Sequence, residues 1–518
     1  MHNKSVFALV LVAAILVTSL FTGCDVKKPA KGEEKGDHDK ILAEAQTLFD
    51  NYTKDKDQYY DYTANPFTFS KGGYYFISKD NALAEVTKEE FAPYDNDYLA
   101  NAAANAKFDA DVYCIPCVGQ SLAINTDSGP STFSETYPLS FDVELNNANL
   151  QDMNTGFCEG FKLMAEKCGV KLPENFKIIT FVVGTGGTSI NTFLKDTQHY
   201  RQVKNRVKKA QEACDAAGLK MIVPGFMWTQ GEEDMRTGGN KALYGKNEWD
   251  PFKYSDKLEQ MTADLNEDIK EITGQTNDID CYTYQVACQN TYSRYPRIAL
   301  EQLDAANENE HIIMSKTMYD VDYNVADYVH APSATYRNMG NYYGMACFVR
   351  SVLHTDFKFT HVIGVDEHDN EIVINYEVPV KPLTLDTTLV NALEDGNYGF
   401  CIYNIENELS NSKKKSSLSE SETKITKVEV ISPTQIKLTL NRPLEKDDRL
   451  TYGVNGLGHE NTTGYNVTNA EQHSGHVDGA RGNVRDSGTV KNNNDGAVLH
   501  DLYSWATIWE YVPAGAAE

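Results

Sequence analysis

The sequence predicts an α/β protein, a mostly parallel sheet covered by helices and followed by a smaller β-rich unit, and three observations carry that prediction. Short apolar, β-branched runs recur at 112–118, 176–183, 220–228, 278–287 and 311–319, each reading as a strand buried on both faces. Stretches with helical spacing lie between or after them, at 197–218, 253–274 and 339–354. Beyond residue 355, "HVIGVDEHDNEIVINYEVPV" and "ITKVEVISPTQIKLTLNRPL" alternate apolar with polar residues between turn clusters, the pattern of antiparallel strands in a small sandwich.

The elements follow in chain order. Lys4 precedes an apolar run from Val6 to Phe21, long enough for a signal-peptide core and short for a membrane span. "LFTGC" then resembles the lipobox of bacterial lipoproteins, which implies cleavage before Cys24, lipidation of that cysteine and attachment to the cell envelope, on a membrane side the sequence leaves open. The competing reading is a cleaved secretory leader with an incidental cysteine. Residues 1–23 are thus the leader and 24–40 a solvated tether rich in Lys, Glu and Gly. Residues 41–360 form the α/β unit with a helical extension at its start, and 361–518 the β-rich unit. Asp250-Pro251 opens the helix at 253–274, and Gly218 and Gly274 end the first two helices. The polar segment 407–424 reads as a surface loop.

Composition narrows the chemistry. A net charge of −26 over 518 residues repels nucleic acid and anionic membrane surfaces, and favours neutral partners such as uncharged glycans. Nine cysteines remain after Cys24, an odd and scattered set that argues against a disulfide framework. Cys114-Ile-Pro-Cys117 imitates a metal or redox pair but lies inside an apolar strand with no second such pair.

In parallel sheets the chemistry collects at the carboxyl ends of the strands. Four segments there are polar, glycine-bearing or titratable: "GQS" after the first strand, "GTGGTSI" after the second, "TQGEED" after the third and "DYVH" after the fifth. "GQS" alone reads more readily as a turn than as a nucleophile. Together, the four supply serine chemistry. A serine hydroxyl needs a base, for which His330 is the candidate, and the imidazole needs a carboxylate on its other nitrogen, which Asp327 can reach. Charge on a tetrahedral intermediate needs fixed donors, available from the Ser121 N–H, Gly186 or Gly187, and the Gln230 side chain. Gln120, Thr188 and Glu232 stand where substrate would bind. No metal or organic cofactor is implied.

This ordered set resembles the sialate O-acetylesterase group and the related carbohydrate esterase family six, within the SGNH (GDSL-like) hydrolases. The resemblance covers roughly residues 110–355. It implies a flavodoxin-like three-layer α/β/α fold, and removal of O-acetyl groups from a polysaccharide or glycoconjugate through a serine ester. It also implies Ser121 as nucleophile, His330 as base, Asp327 as its orienter, and Gln230 in the oxyanion place that asparagine fills in other branches. Tyr336 and Gly340 fall where the family's last helix begins. Two departures stand out: Leu122 where many members have asparagine, and Tyr328 where glycine is common.

Other readings of the chain are a catalytically silent glycan-binding lipoprotein and a lipase or thioesterase of the same superfamily. Glu232, Glu233 and Asp234 are adjacent, and so poorly placed to face each other across a sugar as a glycosidase requires. Gly184 to Gly187 lacks dinucleotide-loop spacing. His473, His476 and Asp478 read as a polar loop before a metal site. Tyr503, Trp505 and Trp509 read as core before sugar platform. The loop at 479–488, which resembles one found after similar esterase modules, carries no assignable chemistry.

Overall fold

A computed structural model describes residues 75–76, 97–125, 152–174, 176–237, 254–288, 296–324, 327–406, 417–455, 474–488, 490 and 501–513. The leader, Cys24, the tether, Asp250-Pro251 and His473 lie outside the described residues. All described residues belong to one compact unit, 42–518.

The parallel sheet is built on β2 (Val112–Gly119), whose eight residues are all buried, as a strand covered on both faces must be. It pairs in parallel with β3 (Lys177–Gly184), from Val112 opposite Lys177 to Gly119 opposite Gly184. On its other side run β4 (Met221–Ile222) and β5 (Gly225–Thr229), then β6 (Asp280–Gln285) and β7 (Ile312–Thr317). The two-residue β1 (Tyr75–Phe76) adds an antiparallel edge beside β3. Counting the five main parallel strands in chain order, the spatial order is second, first, third, fourth, fifth, the flavodoxin-like winding. The predicted strand at 220–228 is two pieces because Pro224 has no N–H to donate, and the Gln275 amide takes over both backbone groups of Val223.

The helices close the faces. After α1 (Asp97–Ala103) comes α2 (Asp152–Lys167), which the sequence reading does not contain. Next, α3 (Gln198–Ala217) is capped by Thr197, whose hydroxyl accepts from the Tyr200 N–H, and stopped by Gly218 at φ 67°. The remaining helices are α4 (Glu232–Thr237), α5 (Tyr254–Thr273), α6 (Arg297–Glu308) and α7 (Ser333–Ser351). Helix α7 starts at Ser333, earlier than the 339 read from spacing and ahead of both Tyr336 and Gly340. Residues 335–349 are all buried, so this helix has no polar face for the period to reveal.

Helix α7 packs along α2 at backbone contact. A side chain on Gly160 would meet the Asn341 carbonyl at 1.9 Å, and one on Gly340 the Met153 carbonyl at 2.0 Å. The crossing is locked by the buried Arg337–Glu159 ion pair and by Asn341 Nδ2 donating to the Gly156 carbonyl at 2.8 Å. Met153 at the start of α2 touches Cys117 of β2 and Thr229 of β5, while α7 follows directly on His330. This glycine seam therefore ties the loop carrying His330 to the strands carrying Ser121 and Gln230.

Beyond α7 lie two four-stranded antiparallel sheets, with spatial orders β13-β14-β9-β8 and β12-β11-β15-β17. The first holds β8 (His361–His368), β9 (Glu371–Glu377), β13 (Ile425–Ser432) and β14 (Gln435–Leu440). The second holds β11 (Phe400–Glu406), β12 (Ser417–Glu420), β15 (Asp448–Tyr452) and β17 (Trp509–Tyr511). A two-stranded ribbon, β10 (Thr384–Leu385) with β16 (Val484–Arg485), completes the region. Alternate residues of β9 and β14 are buried, the period-two pattern expected of one covered face. Trp505 and Trp509 are buried core, whereas Tyr503 lies under the Arg485 guanidinium, 3.9 Å from ring centroid to carbon.

The C-terminal region also braces the segment that leads to His330. His476 Nε2 pairs with Asp322 at 2.7 Å, its Nδ1 lies 3.0 Å from the Leu389 carbonyl, and the His476 N–H donates to Val321. Among the described residues no group of three or more His, Cys, Asp or Glu side chains is placed to hold a metal ion.

Candidate active site

The four predicted segments meet at the carboxyl edge of the sheet. Gly119 ends β2 where a side chain would strike the Thr229 carbonyl at 1.9 Å, so β2 and β5 can close together here only around glycine. The chain then turns, with the Gln120 N–H donating to Thr229 and the Ala123 N–H to Gln120. Ser121 sits in this turn, 7 % exposed. Gly186 faces it, since a Cβ on Gly186 would lie 3.9 Å from that of Ser121. Gly187 holds φ 62° with open space before it. No described residue accepts a hydrogen bond from the backbone N–H of Ser121 or Gly186. Leu122, where the family pattern often has asparagine, is fully buried.

Asp327 and His330 form one unit. Asp327 Oδ2 lies 2.5 Å from His330 Nδ1, and Oδ1 accepts the N–H groups of Val329 and His330, each at 3.0 Å. Burial raises the Asp327 pKa, but the imidazole bond and these two N–H donors outweigh it and hold the carboxyl below its ordinary value. The turn between them puts Tyr328 at φ 55°, the left-handed region that glycine enters without strain, which accounts for glycine at this place in the resembling family. The structure shows no hydrogen bond between Ser121 and His330. Such contacts are often long before substrate binds.

Gln230 is not placed as expected. Its NH2 donates to Asp234 Oδ2 at 2.6 Å, the Thr188 carbonyl at 3.1 Å and Gln120 Oε1 at 3.2 Å. Two protons already meet three acceptors, and the atom left over is the buried carbonyl oxygen Oε1, which has no donor. Flipping the amide would set that oxygen against three other oxygens, so the orientation is fixed. The oxyanion role read for Gln230 is corrected on that ground. Thr188 serves the same frame, its carbonyl taking Gln230 and its hydroxyl donating to Thr185.

Glu232 is also not a substrate contact: it is 1 % exposed, and the Tyr284 hydroxyl lies 2.5 and 2.6 Å from its two oxygens. Burial pushes its pKa up to about 7, against the opposing pull of Tyr284, its own N–H and the nearby charge of His330. No sequence signal separates such a carboxyl from a solvated one. Its folded pKa is raised above the ordinary 4.5, so the stability it contributes is complete below that value and is lost as pH rises toward 7. The loss is about 3 kcal/mol. Glu232→Gln keeps an acceptor for Tyr284 and carries no charge. Its melting temperature relative to wild type is expected to climb between about pH 5 and 8, and a constant difference across that range would refute the assignment.

Residues 134–348 match the family model described as carbohydrate esterase, sialic acid-specific acetylesterase. The match contains Gly186, Gly187, Gln230, Asp327 and His330 and begins downstream of Ser121. Among solved structures, a carbohydrate acetylesterase from Xanthomonas citri is similar at a TM-score of 0.40 and 10 % identity, over 83 % of this chain and 78 % of that one. A protein from Arabidopsis thaliana is similar at a TM-score of 0.31 and 11 % identity, over 46 % of this chain and 98 % of that one. No curated protein matches the chain significantly. Over residues 134–348, then, the chain is similar to the sialic acid-specific acetylesterase family of carbohydrate esterases.

Proposed function

We propose that the protein is a serine esterase that removes O-acetyl groups from a polysaccharide or glycoconjugate. Ser121 Oγ attacks the acetyl carbonyl while His330 Nε2 takes its proton, and Asp327 holds the imidazole in the tautomer that leaves Nε2 free to do so. The tetrahedral intermediate collapses, the sugar oxygen leaves with the proton from His330, and an acetyl–serine ester remains. Water, deprotonated by the same imidazole, then releases acetate and restores Ser121. The observation that carries this reading is the Asp327–His330 pair, held at 2.5 Å at the sheet edge to which Ser121 and Gly186 belong.

The test is acetate release from acetylated xylan, pectin and O-acetylated sialosides, alongside aryl esters of increasing acyl length, with mass spectrometry of Ser121 after treatment with a fluorophosphonate. Acetate release, preference for the acetyl ester and a label on Ser121 are expected. Glycan binding without hydrolysis, or a preference for long acyl chains, would overturn the reading.

A further inference from the structure

We infer that the side-chain NH2 of Gln120 is the side-chain donor to the ester carbonyl oxygen, and that Gln230 serves to aim it. The inference rests on the Ser121 reading above and adds to it a residue of the transition-state machinery.

Gln120 directly precedes Ser121 and its amide is pinned by the oxygen. Gln120 Oε1 accepts from Glu233 N–H at 3.1 Å, Gln230 Nε2 at 3.2 Å and Gly231 N–H at 3.4 Å. An amide is planar and carries its oxygen and nitrogen on diverging bonds, so fixing one end with three donors fixes the direction of the other. That other end is an NH2 turned away from the frame. It has no acceptor among the described residues and, unlike Gln230 Oε1, it is not a sealed buried atom. Two protons with no acceptor among the described residues therefore remain on the residue directly before the nucleophile in the chain, on a side chain that cannot rotate without breaking three bonds.

The direction of the network strengthens that donor. Each N–H that reaches Gln120 Oε1 draws electron density toward the oxygen and leaves the amide protons more positive, the cooperative effect of bonds chained in one sense. Asp234 anchors the chain, since its Oδ2 takes both Gln230 Nε2 and the Ile190 N–H. An oxyanion formed at Ser121 would then meet the Ser121 and Gly186 N–H groups from the backbone and Gln120 from the side, with no rearrangement of Gln230. Preorganised donors of this kind act on charge that develops in the transition state, so their loss appears in kcat.

The experiment compares Gln120→Met, Gln120→Glu and Gln230→Met for kcat, KM and melting temperature on one aryl acetate. Gln120→Glu keeps the acceptor for all three N–H groups and removes the donor, which separates donation from scaffolding. Both Gln120 variants are expected to lose kcat by about a hundred- to thousandfold with KM nearly unchanged, and Gln230→Met to lose less. The inference fails if a folded Gln120 variant keeps kcat within about threefold, the scatter expected of a group outside the reacting centre, or if Gln230→Met is the more damaging. A wild-type enzyme that forms no acyl–Ser121 species would instead sink the serine reading itself, so the two failures are distinct.

Discussion

Ser121→Ala is expected to abolish ester hydrolysis while leaving the protein folded. The turn that presents Ser121 is held by backbone bonds, from Gln120 to Thr229 and from Ala123 to Gln120, and the serine side chain takes part in neither. Removing one oxygen from a small, largely buried side chain leaves no sizeable cavity, so the melting temperature should move little. The chemical loss is different in kind. Without Oγ there is no covalent intermediate, and His330 has no proton to accept, so only binding and the donors of the site remain. Removing a serine nucleophile of this type costs roughly 10⁴- to 10⁶-fold in kcat. Acetate release measured on the purified variant, with circular dichroism to confirm the fold, decides the matter. Turnover near the wild-type rate would remove Ser121 from the mechanism and with it the serine esterase reading.

Much of this frame was legible in the residues because it rests on burial. Strands covered on both faces must be apolar throughout, and the runs at 112–118 and 176–183 lie within one residue of β2 and β3. The loops after them had to be polar because they open at the sheet edge. Helix α7 was legible only in part because the pattern that reveals a helix is the contrast between a wet face and a dry one, and α7 is buried nearly all round. At its seam with α2 glycines take the place of that contrast. The side-chain roles within the site were less legible still. Gln120 and Gln230 are the same residue type at the ends of neighbouring strands, and which of them has a free NH2 depends on N–H groups arriving from residues 230–233, a matter of three-dimensional register. Glu232 reads in sequence as one of three adjacent acids, yet Tyr284 from the neighbouring strand bonds both its oxygens. The leader and Cys24 lie outside the described residues, and the expectation attached to them stands on the sequence.

The Asp327–His330 unit yields a second large effect from a change of one atom. In Asp327→Asn the side-chain oxygen can still accept the Val329 and His330 N–H groups, so the turn and the strained Tyr328 should survive with little change in melting temperature. The other terminal atom, where Oδ2 now faces His330 Nδ1, becomes an NH2. A donor there cannot face the N–H of the working tautomer, so the imidazole must move its proton to Nε2. With Nε2 protonated the ring can no longer accept the serine proton, and the imidazolium that forms during attack loses its balancing charge. A carboxylate-to-amide change at such a position lowers kcat by about 10⁴-fold with geometry intact. KM should stay within a few-fold, because Asp327 lies behind the histidine and does not grip the sugar. The wild-type carboxyl is held below its ordinary value, so it stays ionised across the neutral range. Steady-state kinetics of Asp327→Asn over that range is the measurement. A variant that keeps wild-type kcat would show that the 2.5 Å contact shapes the loop without serving the reaction.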